Sequence, residues 1–571
     1  MIFKRELLQR YLGSKRKRKK QNYVNTVEEN AAIKRMRVQE VINQSVELMD
    51  HISELPDSVI HHILSLLRSP KDAARSSILS KRWRDLWYSF SILIFDERKF
   101  ARGIDQKDYR TKIKIFKDNV YNLLELHLKR NLGLQKLVLH MISFDSKLAS
   151  DIDHWLSVAS EQGIKELDLR TGVKKGKRYT LPQAVFLSKT LSVLRLSGCK
   201  LESCNSIKLP YLRKLHLRKI HLDEHIIQSL ISNCALIEDL RLIQCSGLKI
   251  LLVSNLLQLH RAEIHHCNQL NKVELSVPNL LTFCYCGKKS TPCKVNLVSC
   301  KSLKSLTLDH PRVTHDFCKN QLTSFPVLEK LNLSISSNLR HITISNPQLQ
   351  RLTLKGCQKL NFSVVRSPNL VSFEYDGRKM PSIDIVPFGL KDAKIILEPK
   401  SAPQVTDDDQ TWHSALREFI KKFDHTKELK LIVRSRKNIV IHENLGEILL
   451  PPFRDLSVEI IKSSVCLDDM LNSLLRTWQP ETLSILSPFD SIFPMQVYDK
   501  IKNKEDDPRC CGHNSSNNKC WRHFLKDFQF EDFGTTIHKR TSDWLDWLKS
   551  SSPPLQYSMT NFRLYWNSLQ L

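Results

Sequence analysis

Leu134-Gln-Lys-Leu137-Val-Leu139 and, further along, Leu191-Ser-Val-Leu194-Arg-Leu196 carry one pattern, apolar-x-x-Leu-x-Leu. The same spacing returns at Ile164…Leu167-Asp-Leu169, Leu212…Leu215-His-Leu217, Ile237…Leu240-Arg-Leu242, Leu303…Leu306-Thr-Leu308, Leu328…Leu331-Asn-Leu333 and Leu349…Leu352-Thr-Leu354. Weaker copies stand at Ala262-Glu-Ile264, Phe283-Cys-Tyr285, Phe373-Glu-Tyr375, Leu429-Lys-Leu431, Leu456-Ser-Val458 and Leu483-Ser-Ile485. Successive copies are separated by roughly 20–30 residues. Leu-x-Leu puts both leucines on one face of a short strand. One such strand cannot bury its face alone, but a stack of them builds a continuous core and leaves the intervening side chains in water as a long surface.

The pattern resembles leucine-rich repeats, and the resemblance covers well over half the chain. It implies a solenoid over residues 134–486. Cys199, Cys245, Cys267 and Cys357 each follow the second apolar residue of a repeat by three positions, where that pattern places a small side chain in the turn leaving the strand. They are expected to be structural rather than paired or metal-bound.

The length of 571 residues suits a solenoid with small flanking units better than one compact core. Hydrophobic residues make up 41% of the chain, which excludes a wholly disordered protein, yet no apolar stretch approaches the ~20 residues needed to cross a bilayer. No membrane partner is expected. The start, Met1-Ile-Phe-Lys-Arg-Glu, lacks the apolar segment of a signal peptide, and fifteen cysteines, an odd number, need no pairing in a reducing compartment. The expected location is nuclear and/or cytoplasmic. The formal net charge is +28, and residues 1–40 hold twelve Lys/Arg against four acids. Lys15–Lys20 and Lys34-Arg35-Met36-Arg37 within a disordered tail over 1–48 read either as a two-part nuclear import signal or as a solvated basic tail.

A second informative segment begins at Asp50-His-Ile-Ser-Glu-Leu55-Pro56-Asp57. Pro56 suits a first helical turn, and Val59, Ile60, Ile63, Leu64 and Leu67 follow at helical spacing. Ser69-Pro70-Lys71-Asp72 reads as the start of a second helix, whose small face is Ala73, Ala74, Ser77 and Ile78. Trp83, Leu86 and Trp87 share one side of a third. Three short helices have little interior, so this much apolar surface calls for a partner. Ile52-Ser-x-Leu55-Pro56-Asp57, Ile63-Leu64-Ser65, Leu79-Ser80-Lys81-Arg82-Trp83 and Leu86-Trp87 together resemble the F-box of plant F-box proteins. The resemblance implies a Skp-family adaptor as partner, docked through Leu55, Pro56, Ile60, Ile63, Leu64, Leu79, Trp83 and Trp87, and a cullin beyond it.

The expected fold class is therefore α+β: a three-helix F-box over 49–95, a linker helix within 96–133 with Ile113, Phe116, Val120, Leu123 and Leu124 inward, an α/β repeat solenoid shaped as a curved horseshoe over 134–486, and an irregular cap over 487–571. A surface insertion and a helix at 412–423 interrupt the late repeats. Cys510, Cys511, His513, Cys520 and His523 could supply four zinc ligands, but their spacing fits no standard module, and no metal or cofactor is assigned. Phosphate loops, nucleophile elbows and His-Glu-x-x-His are missing from the sequence, so no intrinsic catalysis is expected.

Residues flanking the repeat leucines should face solvent. Among them Arg195, Lys214, His216, Arg218, Arg241 and Arg261 form a basic stretch suited to an acidic or phosphorylated protein substrate. The two resemblances together imply the substrate-recognition subunit of an SCF (Skp–cullin–F-box) ubiquitin ligase. The alternatives are an F-box scaffold that recruits no cullin and, from the charge alone, a basic nucleic-acid-associated protein. Dispersal of that charge and the lack of a nucleic-acid module argue against specific nucleic-acid binding.

Overall fold

A computed structural model describes residues 55–66, 75–76, 78–88, 91–100, 109–129, 133–142, 146–172, 178–202, 207–287, 293–309, 322–334, 340–357, 360–377, 382–385, 389–397, 419, 422–423, 426, 428–435, 455–460, 475, 481–488, 493–502, 521–533 and 557–566. The chain divides into two compact units, Met1–Phe90 and Ser91–Leu571.

In the first unit the helix Asp57–Leu66 starts directly after Pro56, whose carbonyl accepts from the amides of Val59 and Ile60 at 2.9 and 3.1 Å. Ile60 and Leu64, one turn apart, pack against Trp83 and Leu86 of the helix Lys81–Tyr88, and all four are buried. Ser80 caps that second helix, its hydroxyl accepting from the Trp83 amide at 3.1 Å. Arg82 fastens the two helix starts together, donating to the Leu55 carbonyl at 2.6 Å and to Asp57 at 2.5 Å. The helix expected from Pro70 falls mostly outside the described residues.

The second unit is built on an 18-stranded sheet. Strands Ile92–Asp96, Lys136–His140, Glu166–Arg170, Val193–Ser197, Lys214–Arg218, Asp239–Ile243, Arg261–His265 and Thr282–Cys286 pair in parallel, each with the next. The ladder continues through Ser305–Asp309, Lys330–Ser334, Arg351–Cys357, Ser372–Gly377, Asp392–Leu397, Glu428–Ser435, Asp455–Ile460 and Thr482–Pro488. The repeat leucines stand in register: Leu167, Leu194, Leu215 and Leu240 form one inward row, Leu169, Leu196, Leu217 and Leu242 the next. Where one row narrows it widens beside: Ala262 lies opposite Phe283, and Ala393 opposite Phe373.

Residues 92–95 lie inside the 49–95 span that the sequence suggests for the F-box, and in the structure they belong to the strand Ile92–Asp96. That strand heads the sheet, because Leu93 and Phe95 alternate inward, a period no helix can use. The helix Tyr109–Lys129 buries Phe116, Val120 and Leu124 in the solenoid's own core, where Phe116 meets Phe95 and Trp155 edge-on at 6.4 and 6.2 Å. Early repeats return through helices such as Ala149–Glu161 and Glu224–Asn233. Later ones return through strands, which form two further parallel three-stranded sheets: Ile250–Ser254, Lys272–Ser276 and Lys294–Asn296, then His341–Ser345, Phe362–Arg366 and Ser382–Ile385. At the far end Tyr557–Trp566 pairs antiparallel with Thr482–Pro488 and with Leu525–Phe533, so the final region continues the sheet. Of the helix expected at 412–423 only isolated residues are described; Phe419 and Phe423 among them are buried.

Cys199, Cys245, Cys267 and Cys357 are all buried and free. The Cys245 thiol points at the Leu217 carbonyl (3.4 Å) and that of Cys267 at the Leu242 carbonyl (3.6 Å), each in the preceding repeat. Cys300 does the same to Leu275 at 3.5 Å, and the Asn346 amide to Phe325 at 2.8 Å. The residue just after each strand takes a left-handed conformation at Gly198, Lys219, Gln244 and His266. At Gly198 an added Cβ would collide with the Thr171 carbonyl. Gly198→Ala should therefore lower stability by about 1–3 kcal/mol, while Lys219→Gly, which relieves a positive φ, should be neutral or mildly stabilising. Urea midpoints of the two variants check this.

Candidate functional site

The solvent-facing side of the main sheet carries two kinds of row. Arg195, His216 and Arg241 stand side by side on consecutive strands, as do Lys214, Asp239 and Arg261. The six cations expected to receive a substrate therefore share one face. They are not a free basic strip. Arg241 grips Asp239 through Nε (2.9 Å) and Nη2 (2.8 Å) and reaches Glu263 at 3.5 Å. His216 lies 3.3 Å from the same Asp239, Arg261 3.8 Å from Glu263, and Arg195 3.5 Å from Glu166. Arg218 is only 7% exposed; burial, with Arg170 nearby, pulls its guanidinium down to about 10. Arg218 is thus enclosed by the sheet surface, and Arg241 is committed to the half-buried Asp239 and the buried Glu263. Lys214 and Arg261 keep the most exposure, the Arg261 side chain at 47%.

A second network precedes this one. Asp168 accepts from both Nε and Nη2 of Arg170 (3.1 and 3.0 Å) and lies 3.2 Å from His140 Nε2, while His140 Nδ1 is 3.9 Å from Asp96. Burial opposes ionisation of Asp168, but the His140 hydrogen bond and the Arg170 charge outweigh it and hold the carboxyl at about 2. Burial also opposes a charged His140, and its bonds to Asp168 and Asp96 outweigh that too, raising it.

In the first unit, the eight residues expected to meet an adaptor divide. Ile60, Leu64 and Trp83 form the unit's own core and have no surface to offer, because two short helices can only cohere by spending their best apolar side chains on each other. Leu55 and Ile63 are half-buried against that core, Pro56 is exposed and Leu79 is 60% exposed. Trp87 lies on the second helix, with its side chain outside the described set. Sequence reasoning missed two exposed apolar residues, Ile78 (62%) and Val59 (39%), having turned both inward. The signal was available: Ile78 and Leu79 directly precede the Ser80 cap, outside either helix. Cys510, Cys511, His513 and Cys520, and the side chain of His523, lie outside what is described.

The F-box-like family model matches residues 52–92, and the model of the At1g61320/AtMIF1 LRR domain matches 124–296 and 290–395. The F-box/LRR-repeat protein At3g58900 of Arabidopsis thaliana is 30% identical over 252 residues, which is 42% of this chain and 73% of that relative. The chain belongs to the F-box/LRR-repeat family. Two further Arabidopsis relatives are the F-box/FBD/LRR-repeat protein At1g13570, 33% identical over 200 residues (34% of this chain, 44% of the relative), and the F-box/LRR-repeat protein At2g42730, 29% identical over 246 residues (42% and 52%). The chain thus spans about half the length of these last two. The F-box match covers the helices Asp57–Leu66 and Lys81–Tyr88 of the first unit, and the repeat-domain match the ladder from its second to its thirteenth strand.

The depressed Asp168 value sets a pH dependence for this F-box/LRR-repeat protein. A carboxyl lowered by folding stabilises fully above its unfolded value near 3.8, and that contribution is lost as pH falls toward about 2. Urea midpoints of the full chain should fall over that window, by an amount equivalent to about 2 kcal/mol for this residue. Asp168→Asn should start lower at pH 6 and fall less steeply.

Proposed function

We propose that this chain is the substrate-recognition subunit of an SCF ubiquitin ligase. The first unit would dock a Skp-family adaptor, and through it a cullin, while the solvent-facing side of the repeat sheet binds the protein to be ubiquitinated. The observation that carries this is the pairing of two features in one chain: a small helical unit, matched by the F-box-like model, with Pro56, Val59, Ile78 and Leu79 outside its core, and a long parallel ladder with a polar face. Exposed apolar residues on a unit with so small an interior are what a permanent partner covers. The chain itself would perform no chemistry. It would raise the effective concentration of a substrate lysine near a ubiquitin-charged enzyme supplied by the rest of the complex. The basic clusters at Lys15–Lys20 and Lys34–Arg37 are consistent with a nuclear as well as a cytoplasmic pool.

Ile78→Glu/Leu79→Glu should abolish co-purification of adaptor and cullin while leaving the helical signal and repeat sheet intact, since neither side chain is in the core. Trp83→Ala should abolish it by unfolding the unit, seen as a loss of protection from proteolysis. Retained binding in the Glu pair removes the docking assignment. Adaptor without cullin in the wild-type pull-down favours the scaffold alternative.

For the substrate face, Lys214→Glu/Arg261→Glu is the informative pair, because Arg241→Glu would also strand Asp239 and Glu263. The pair should weaken capture of an acidic or phosphorylated substrate at least ~10-fold, and more at low salt.

A further inference from the structure

Every buried cysteine at a repeat turn has an inward role, but Cys284 and Cys286 do not sit there. On the strand Thr282–Cys286 it is Phe283 and Tyr285 that point into the core, leaving Cys284 and Cys286 half-buried on the solvent-facing side. Their neighbours along the rows are polar: Cys284 lies between Glu263 and Thr307, Cys286 between His265 and Asp309. Nothing in the packing of the repeat asks for thiols at these two positions.

The ring nitrogen of His265 and the sulfurs of Cys284 and Cys286 all lie within 4.8 Å of one another. Among the described residues no other group of three His, Cys, Asp or Glu side chains converges in this way. A tetrahedral zinc ion, with bonds of about 2.3 Å to sulfur and about 2.0 Å to nitrogen, needs ligand atoms roughly 3.4–3.8 Å apart. With every separation within 4.8 Å, small side-chain rotations would bring the three to that spacing. His265 is almost fully buried, and its Nε2 is 3.8 Å from the Glu263 carboxylate, itself held by Arg241 and Arg261. A carboxylate behind a histidine is the usual means of fixing the ring of a metal ligand.

We propose that His265, Cys284 and Cys286 bind one zinc ion on the solvent-facing side of the main sheet, the fourth position being left to solvent. Two thiolates and an imidazole suit this thiophilic ion and discriminate against magnesium and calcium. The ion would clasp two adjacent repeats beside the Arg241–Asp239–Glu263 network.

The test uses the full chain purified without chelators. Metal content by mass spectrometry should show zinc that Cys284→Ser/Cys286→Ser loses and Cys510→Ser/Cys511→Ser keeps, the latter pair separating this site from the downstream cysteine cluster. Competition with a chromophoric chelator should place the Ser pair more than ~100-fold weaker. A wild-type measurement guards against a misfolded variant: peptide mapping after alkylation should find Cys284 and Cys286 protected at least ~10-fold by added zinc, against the chelated protein. Equal alkylation with and without zinc, zinc content unchanged in the Cys284/Cys286 variant, or recovery of the two as a disulfide with each other would overturn the proposal.

Discussion

In-register parallel pairing forces each strand to bring its two inward side chains to the same level as its neighbours'. Leu137 must meet Leu167, Leu167 must meet Leu194, and so on to Leu483. A one-residue slip would turn a strand's inward apolar pair into water and bring its polar or charged neighbours into the core, a loss of several kcal/mol per strand. Every other feature of the long unit is arranged around that constraint. The thiols of Cys245, Cys267 and Cys300 tie each turn to the carbonyl of the repeat before it, and left-handed residues such as Gly198 and Lys219 let the chain leave each strand at the same angle. Volume is balanced within a row, with the small Ala262 set against the large Phe283.

The same constraint stacks the outward side chains. Positions that alternate with the leucines are brought into rows about 4.8 Å apart, whatever their charge. Like charges in adjacent strands would repel, and the solution found here is interleaving: Asp168 between His140 and Arg170, Asp239 between His216 and Arg241, Glu263 beside Arg241 and Arg261. A large positive formal charge therefore coexists with a face on which most cations already have a carboxylate. Under the proposed function, specificity for a substrate would come from the cations left over and from shape, more than from bulk charge.

How far the chain could be read from its letters follows from the same physics. The front strands were legible because both leucines of each recur with period two and are buried together. The returning strands were not: Leu251-Leu-Val253, Val273-Glu-Leu275 and Ile342-Thr-Ile344 carry the same alternation, and alternation alone does not distinguish a returning strand from a front one. Ile92–Asp96 was absorbed into the neighbouring helical segment because five residues give periodicity little to work with. For the basic face, the sequence places these residues on the solvent side of the sheet but does not show the ion pairs they make there. Arg241 and Arg218 differ only in what the adjacent strands place beside them, and that depends on register, which a list of residues does not contain.

The helical unit shows the opposite balance. Its motif was easy to recognise, yet its residue roles were not, because an amphipathic helix says which face is apolar without saying what covers it. Four side chains, Ile60, Leu64, Trp83 and Leu86, are used to hold two helices together, and Arg82 to Asp57 and Leu55 locks their starts. Outside that core stand Pro56, Val59 and the Ile78–Leu79 corner, which lies in no helix. Side chains at that corner can be replaced without emptying the core, so the fold of the unit and the docking proposed for it can be varied separately.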